Sequence, residues 1–428
     1  MKMQIAKGVR DTNPEEKILK LKIENTLRET FELYGYNPLD TPTIERFDVL
    51  SSKYAGGAEI LKETFKLSDQ GKRDLCLRYD LTVPFARYIS MNPTLKMPFK
   101  RYQIGSVFRD GPIKLGRYRE FIQCDVDVVG IKNVFAEAEL LKLASQALKN
   151  LGLKTVIKVN NRKLLDGIVK EAGVSEDKVV DVILTIDKIK KLSESELKKE
   201  FAQKEISEEA VEKILSLALC KGNNSEKLEF LKNNISNDLG LEGINELESL
   251  FNYLKIMNTD FEFDPSLARG LAYYTGTVYE IFMKESKVTS SISAGGRYDN
   301  MIKNFIGNNQ EYPAVGISFG LDVIFEAMKI TEKEKKQSVV KAYIIPINTL
   351  NESIKLLMYF REKGIQADIN TTKKGISKAL DYASAYGIPY TIFVGETELA
   401  QEKFKLKNMV SGEEKMLSKD EIISLLKE

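Results

Sequence analysis

A chain of 428 residues in which 64 basic side chains face 62 acidic ones has almost no net charge, so contact with nucleic acid must rest on local basic patches rather than a global field. It contains no histidine, which excludes Ser-His-Asp and Cys-His nucleophile systems, imidazole general bases and His-ligated zinc. Its chemistry therefore falls to carboxylates, Arg, Lys, Tyr, a bound ion or the substrate itself. Three scattered cysteines (Cys76, Cys124, Cys220) make neither a disulfide framework nor a metal-binding pair. No apolar run is long enough to span a bilayer, and the first residues lack the apolar centre of a signal peptide. These features point to the cytoplasm.

Asn13, Pro14, Glu15 and Glu16 make a helix start: a capping side chain, a proline where no amide hydrogen is needed, then acids in the first turn. Leu19, Ile23, Leu27, Phe31 and Tyr34 follow at helical spacing, and Gly35 is a plausible stop. The extended segment 36–42, with two prolines, suits either a layer within the chain or a dimer contact. Residues 75–160 read as strands, turns and one helix at 134–151, with strand-like runs at 102–108 and 121–129 forming a hairpin. From about 161 to 257 Lys, Glu, Ser and Asn dominate, and helical periodicity at 178–189 and 208–219 marks a helical insertion. Strand-like, glycine-rich patterns return at 261–329, so the first core, 1–330, resumes after the insertion. A charged linker at 331–338 follows. In 339–428, strands at 342–347, 365–369, 390–394 and 404–409 alternate with helices at 351–363, 376–386 and 419–427, as in a compact α/β domain with a mixed sheet.

Five stretches carry chemistry. The hairpin turn sets Arg109, Arg117 and Arg119 between two strands and ends on Phe121. Arg109 can fork onto a phosphate and Phe121 can stack on a base, although an ordinary solvated basic hairpin has the same look. In the run from Leu77 to Thr82, read as a strand, Asp80 and Thr82 face one side, where they can hold an ammonium group; an exposed strand face is the plainer alternative. Gln123, Asp125 and Asp127 share one strand face, and burial without partners would be costly, so water or a polar ligand faces them. The glycine-rich stretches 267–276 and 294–299 set Gly beside Arg and Tyr, as at a close backbone approach to a ligand or at a bulge.

Taken together, these stretches resemble the class II aminoacyl-tRNA synthetases, and within them the histidyl-tRNA synthetase family. Segment 36–43, with Pro42, is similar to the dimer-forming first motif, and 108–121 to the second. RYDLTVPFARY (78–88), GRYREFIQCDVDVVG (116–130), LARGLAYYTGTVYE (267–280) and AGGRYD (294–299) are similar to the family's histidine signatures. The resemblance covers almost the whole chain. It implies an α+β fold: a class II synthetase-type antiparallel sheet flanked by helices, a helical insertion, and a C-terminal α/β mixed-sheet domain of the anticodon-binding type. It implies activation of histidine by ATP, transfer to tRNA(His), Mg²⁺ carried on the ATP phosphates with no metal held by the protein, a homodimer and no membrane partner.

Carried over position by position, the resemblance implies that Arg109 binds the ATP α-phosphate and stabilises charge growing there. Arg269 sits across that phosphate, Arg117 holds the outer phosphates and Phe121 stacks on adenine. Asp80, Thr82 and Gln123 take the substrate α-amino group. Asp127 and Tyr274 bond the two imidazole nitrogens, with Tyr273 and Tyr298 lining the pocket. Such a pocket leaves polar groups unpaired when the wrong side chain enters, which is worth roughly 10⁴-fold discrimination. Lys373, Lys374, Lys378, Lys403, Lys405 and Lys407 are candidate tRNA backbone contacts.

Two positions depart from the family's pattern. Val323 stands where the third motif normally ends in arginine, and Ala272 where the signature around Arg269 usually has an acid. These departures leave a second reading: a weakened paralog that senses histidine or serves as a regulatory subunit of histidine biosynthesis. Against it, the chain keeps both the amino-acid signatures and the C-terminal domain.

Overall fold

The computed structural model describes residues 3–53, 61–113, 116–189, 192–269, 273–307, 310–331, 337–372 and 375–427. Two units emerge, one of residues 1–10 and 23–330, the other of residues 11–22 and 331–428.

In the first unit the strands are β1 (Asn37–Pro38), β2 (Ile44–Arg46), β3 (Lys66–Ser68), β4 (Asp74–Leu77), β5 (Phe99–Phe108), β6 (Glu120–Val129), β7 (Thr155–Asn161), β8 (Glu262–Phe263), β9 (Thr277–Met283), β10 (Ser293–Arg297) and β11 (Ala314–Gly320). Eight of them form one sheet in the order β1-β5-β6-β11-β10-β9-β7-β8. Its six central strands are antiparallel throughout, as expected, whereas the two short edge strands β1 and β8 add in parallel. The expected hairpin is present as β5 and β6.

Register determines what each face carries. Arg101, Asp127, Gly316 and Gly296 lie in one row across β5, β6, β11 and β10. Gln103, Asp125, Ser318, Ala294 and Glu280 form the next row, two residues along and therefore on the same face. The other face is apolar: Cys124, Val126, Phe319 and Ile281 are buried, and the Phe31 ring packs 5.6 Å from both Phe319 and Tyr102. Phe31 belongs to the helix Pro14–Leu33, whose start is capped by Asn13 accepting from the Glu16 amide at 2.8 Å. Gly35, at φ +76°, ends that helix where a side chain would be strained. One face of the sheet thus faces a helix, and the other is left for polar groups.

One expected element is different. Asp80 and Thr82 are not on a strand: β4 ends at Leu77, and Thr82 opens the helix Thr82–Met91. The Asp80 carboxylate accepts from the Val83 amide at 2.9 Å and so satisfies a free donor of the first turn. The alternating pattern around these residues came from a turn and a helix start, both of which are rich in Asp and Thr.

Between β7 and β8 the chain runs through the helices Arg162–Glu171, Val179–Ile186, Glu194–Gln203, Glu208–Ala218, Asn224–Asn234 and Asp238–Ile256. The first and last cross closely at glycines: a Cβ at Gly243 would lie 2.5 Å from the Leu164 amide nitrogen. No helix among the described residues is long and apolar enough to cross a membrane.

The second unit holds β12 (Ala342–Pro346), β13 (Ala367–Ile369), β14 (Tyr390–Val394), β15 (Phe404–Asn408) and β16 (Glu414–Leu417) in the order β13-β12-β14-β15-β16. The first three are parallel and the last two antiparallel, the mixed sheet expected from the sequence. Ile344, Ile392, Phe360 and Ile422 are fully buried in its core.

Replacing Gly243 by Val is expected to force these two helices apart and to destabilise the insertion by about 1–3 kcal/mol, the usual cost of overpacking. Hydrogen exchange should speed up in residues 162–171 and 238–256 while the β5–β6 hairpin is unaffected.

Candidate functional site

The polar face of the large sheet opens into a cavity of about 380 Å³. Of the residues singled out in the sequence, Asp80, Thr82, Arg109, Arg117, Gln123, Asp127, Arg269, Tyr273, Tyr274 and Tyr298 all line it. Phe121 stands beside the cavity rather than on its wall, with the Arg109 guanidinium 5.1 Å from its ring centroid.

At one end the cavity is acidic and phenolic. Asp127 is 3% exposed, with Arg101 Nη2 at 2.7 Å and the Tyr298 hydroxyl donating to its Oδ1 at 2.6 Å. Arg101 is fully buried, lies 4.3 Å over the Phe85 ring and donates to the Leu81 carbonyl at 3.2 Å, which ties Asp127 to the turn that carries Asp80. Burial, and then the Asp127 charge, hold the Tyr298 phenol well above its ordinary pKa, so it remains a donor. Tyr273 packs edge-on to Tyr298 at 6.3 Å and lies 4.5 Å from the Tyr274 ring. Gln123 donates through Nε2 to the Ser318 hydroxyl at 2.7 Å.

At the other end the cavity is basic. Arg109 lies 4.3 Å over the Tyr79 ring, and its Nε donates to the Tyr79 carbonyl at 3.3 Å. Stacking between two aromatic rings leaves the outer edge of the guanidinium free to fork onto an anion. Arg269 pairs with Glu280 through Nη1. Burial pulls its pKa down, but Tyr274, Glu280 and Tyr273 outweigh that and raise it, so Arg269 stays charged. Arg117 closes this end from the hairpin turn.

Several residues at the site carried no mark in the sequence. Glu280 faces the cavity because β9 pairs with Ala294 of β10, and it holds Arg269 in place. Asp187 reaches the cavity from the helical insertion. Gly316 and Ser318 form its floor together with Gly295 and Gly296. Arg297, within the AGGRYD stretch, does not line the cavity: it bonds Glu137 bidentately at 2.6 and 2.7 Å and anchors β10 from behind.

Val323, in the first turn of the helix Leu321–Thr331, packs towards the hairpin turn: a Cβ at Gly116 would lie 4.0 Å from it. Arg10 brings a cation to the same helix, 3.7 Å from both Asp322 and Glu326 and 4.4 Å over the Tyr118 ring. Ala272 lies outside the described residues, as do Lys373 and Lys374. Lys405 and Lys407 both pair with Glu414, at 3.6 and 3.2 Å.

A family model described as histidyl-tRNA synthetase matches residues 8–324. The chain belongs to the histidyl-tRNA synthetase family. A second model, an anticodon binding domain, matches residues 341–428. Among relatives, the Histidine--tRNA ligase 1 of Bacillus cereus (strain ZK / E33L) is 46% identical over 97% of this chain and 97% of its own. The Histidine--tRNA ligase 2 of Shouchella clausii (strain KSM-K16) is 43% identical over 96% of this chain and 97% of its own. The crystal structure of histidyl-tRNA synthetase from Nostoc sp. PCC 7120 superposes with a TM-score of 0.88 at 28% identity, covering 100% of this chain and 99% of that one. This member of the histidyl-tRNA synthetase family therefore shares its whole architecture, second unit included, with its relatives.

Replacing Arg101 by Met should leave Asp127 buried without its cation and destabilise the protein by about 3–5 kcal/mol. Urea unfolding measures the loss, and Asp127→Asn added to Arg101→Met should recover part of it.

Proposed function

We propose that this chain is a ligase that activates histidine with ATP and transfers it to tRNA(His) in the cytoplasm, working as a homodimer through the segment around Pro42. The single observation that carries the reading is the cavity, which sets three arginines against buried carboxylates and phenols and gathers every proposed substrate-contacting side chain but Phe121. Full-length kinship with chains named histidine--tRNA ligase supports the ligase over a sensor or regulatory paralog. In this reading residues 1–330 are the catalytic core, with 161–257 inserted, 331–338 are a linker, and 339–428 meet the anticodon.

The amino-acid end takes the histidine side chain between Asp127 and Tyr274, inside the wall of Tyr273 and Tyr298, and its amino group at Asp80, Thr82 and Gln123. The histidine carboxylate then points to the basic end. There a carboxylate oxygen attacks the α-phosphorus of ATP, the bond to the β-phosphate oxygen breaks, and pyrophosphate leaves. Arg109 and Arg269 flank that phosphorus and stabilise the charge spread over its oxygens. Arg117 takes the outer phosphates, and Phe121, stiffened by Arg109, stacks on adenine. Mg²⁺ fits here as an ion carried in on the ATP phosphates, because the phosphate end presents guanidinium groups rather than clustered carboxylates. In the transfer step a terminal tRNA hydroxyl attacks the carbonyl carbon of the adenylate, AMP leaves, and the hydroxyl proton passes to a phosphate oxygen. No protein base is needed, which suits a chain without imidazoles.

Histidine-dependent ATP–pyrophosphate exchange tests this. The wild type should catalyse exchange, and Arg269→Ala or Arg109→Ala should lower it by about 10²–10³-fold while histidine still binds, because each removes charge stabilisation at the phosphorus. Histidine binding without exchange in the wild type would give the sensor reading.

A further inference from the structure

A carboxylate on the sheet face of the cavity has no assigned role. Asp125 is 3% exposed and lies on the cavity wall between Gln123 and Asp127. Its Oδ1 is buried and has no hydrogen-bond partner among the described residues. Gln123 is in the same condition: its Nε2 is committed to Ser318, and its Oε1 is buried without a partner. Two residues apart on one strand, these side chains leave the same face from points roughly 6.6 Å apart, so one small cation between them can donate to both. Asp127, the next carboxylate on that face, is already neutralised by Arg101 and bonded by Tyr298. The unmet demand is therefore for a compact group with one positive charge and several N–H donors, on the Gln123 side of Asp127. A buried carboxylate without a cation is costly, and a ligand that supplies one gains by removing the cost.

We propose that Asp125 receives the α-ammonium group of the bound amino acid, sharing its three N–H donors with Gln123 Oε1 and Asp80. The assignment rests on the cavity being the histidine site, and it adds a charged partner that the family resemblance does not name. Ser318 couples the pair, because it accepts from Gln123 and so fixes which end of that amide faces the ammonium.

The surroundings give this contact a pH signature. Burial pushes the Asp125 carboxyl up to about 7; Arg101 on β5 draws it down, Asp127 beside it on β6 raises it, the Ser318 hydroxyl on β11 draws it down, and Asp80 from the turn raises it. The carboxyl of the empty cavity therefore keeps its proton to a higher pH than an ordinary carboxylate does. A bound ammonium favours the ionised form, so a proton leaves on binding, and affinity rises with pH up to about 7 and levels off above it.

Calorimetry of the full chain at pH 7, in two buffers of different ionisation enthalpy, compares L-histidine with 3-(imidazol-4-yl)propionate, which keeps the imidazole and carboxylate and lacks the amine. With histidine the wild type should release more protons per site than Asp125→Asn, a comparison in which the ligand's own ionisation cancels. Asp125→Asn should weaken histidine about 10–100-fold, the loss of one hydrogen bond to a charged group, and change binding of the desamino ligand by less than about threefold. An Asp125→Asn chain that loses both ligands equally, or that binds histidine as tightly as the wild type does, overturns the proposal. A wild type that binds no histidine at all overturns the histidine reading of the cavity, and this assignment with it.

Discussion

A fully buried guanidinium facing a buried carboxylate underlies everything else at the site. Arg101 and Asp127 are register partners on adjacent strands, so the ion pair is set by the β5–β6 pairing itself. Desolvating both ions costs several kcal/mol each, and the pair offsets it only while geometry and secondary contacts hold. Those contacts are the Phe85 ring under Arg101, the Leu81 carbonyl at its Nη2 and the Tyr298 hydroxyl at Asp127. Each lies on a different element. One ion pair therefore locks the sheet, the turn before the helix Thr82–Met91 and the end of β10 in the relation that gives the cavity its acidic end.

The cavity divides its charges. Asp127 and the Tyr298 phenol make one part of the wall, and Arg109, Arg117 and Arg269 another, the last beside Glu280 and the Tyr273 and Tyr274 phenols; in the proposed function this field orients a ligand that carries both an amino group and a carboxylate. The protein offsets the cost of holding three arginines together by supporting two of them and leaving the third in water. Arg109 lies over Tyr79 and near Phe121, Arg269 pairs with Glu280, and Arg117 stays exposed on the hairpin turn. In the proposed function, the two supported side chains need little rearrangement when charge develops at a phosphorus between them.

Much of this was legible from sequence, and the misses have physical causes. The helix Pro14–Leu33, the β5–β6 hairpin and the mixed sheet of the second unit came from periodicity and turn residues, because each is a regular element with one buried face. The polar face of β6 was legible because three polar residues at alternate positions are expensive inside a sheet unless something meets them. Asp80 and Thr82 were assigned to a strand because two residues cannot distinguish alternation from a turn that runs into a helix. Arg101, Glu280 and Ser318 could not be singled out, because their importance comes from long-range register and local sequence holds no record of which strand lies alongside. Asp187 is hidden for the same reason: it follows the inserted helix Val179–Ile186, far from the sheet in sequence. Val323 is the reverse case, plain as a departure from the family's pattern, but only the structure brings Arg10 to the residues that flank it.

At Gly296 and Gly316 the floor of the cavity is bare backbone. Any side chain at Gly316 would strike the Asp127 carboxylate, and a Cβ at Gly296 would come within 2.8 Å of the Tyr274 ring. A binding site can normally be retuned from every direction, but this one can be altered only from its walls. Attempts to redirect it to a different amino acid, in the laboratory or over evolutionary time, are confined to positions such as Tyr273, Gln123 and Ser318. Gly296 and Gly316 can tolerate nothing larger than hydrogen, so the cavity's depth there is a fixed dimension to which new ligands must conform.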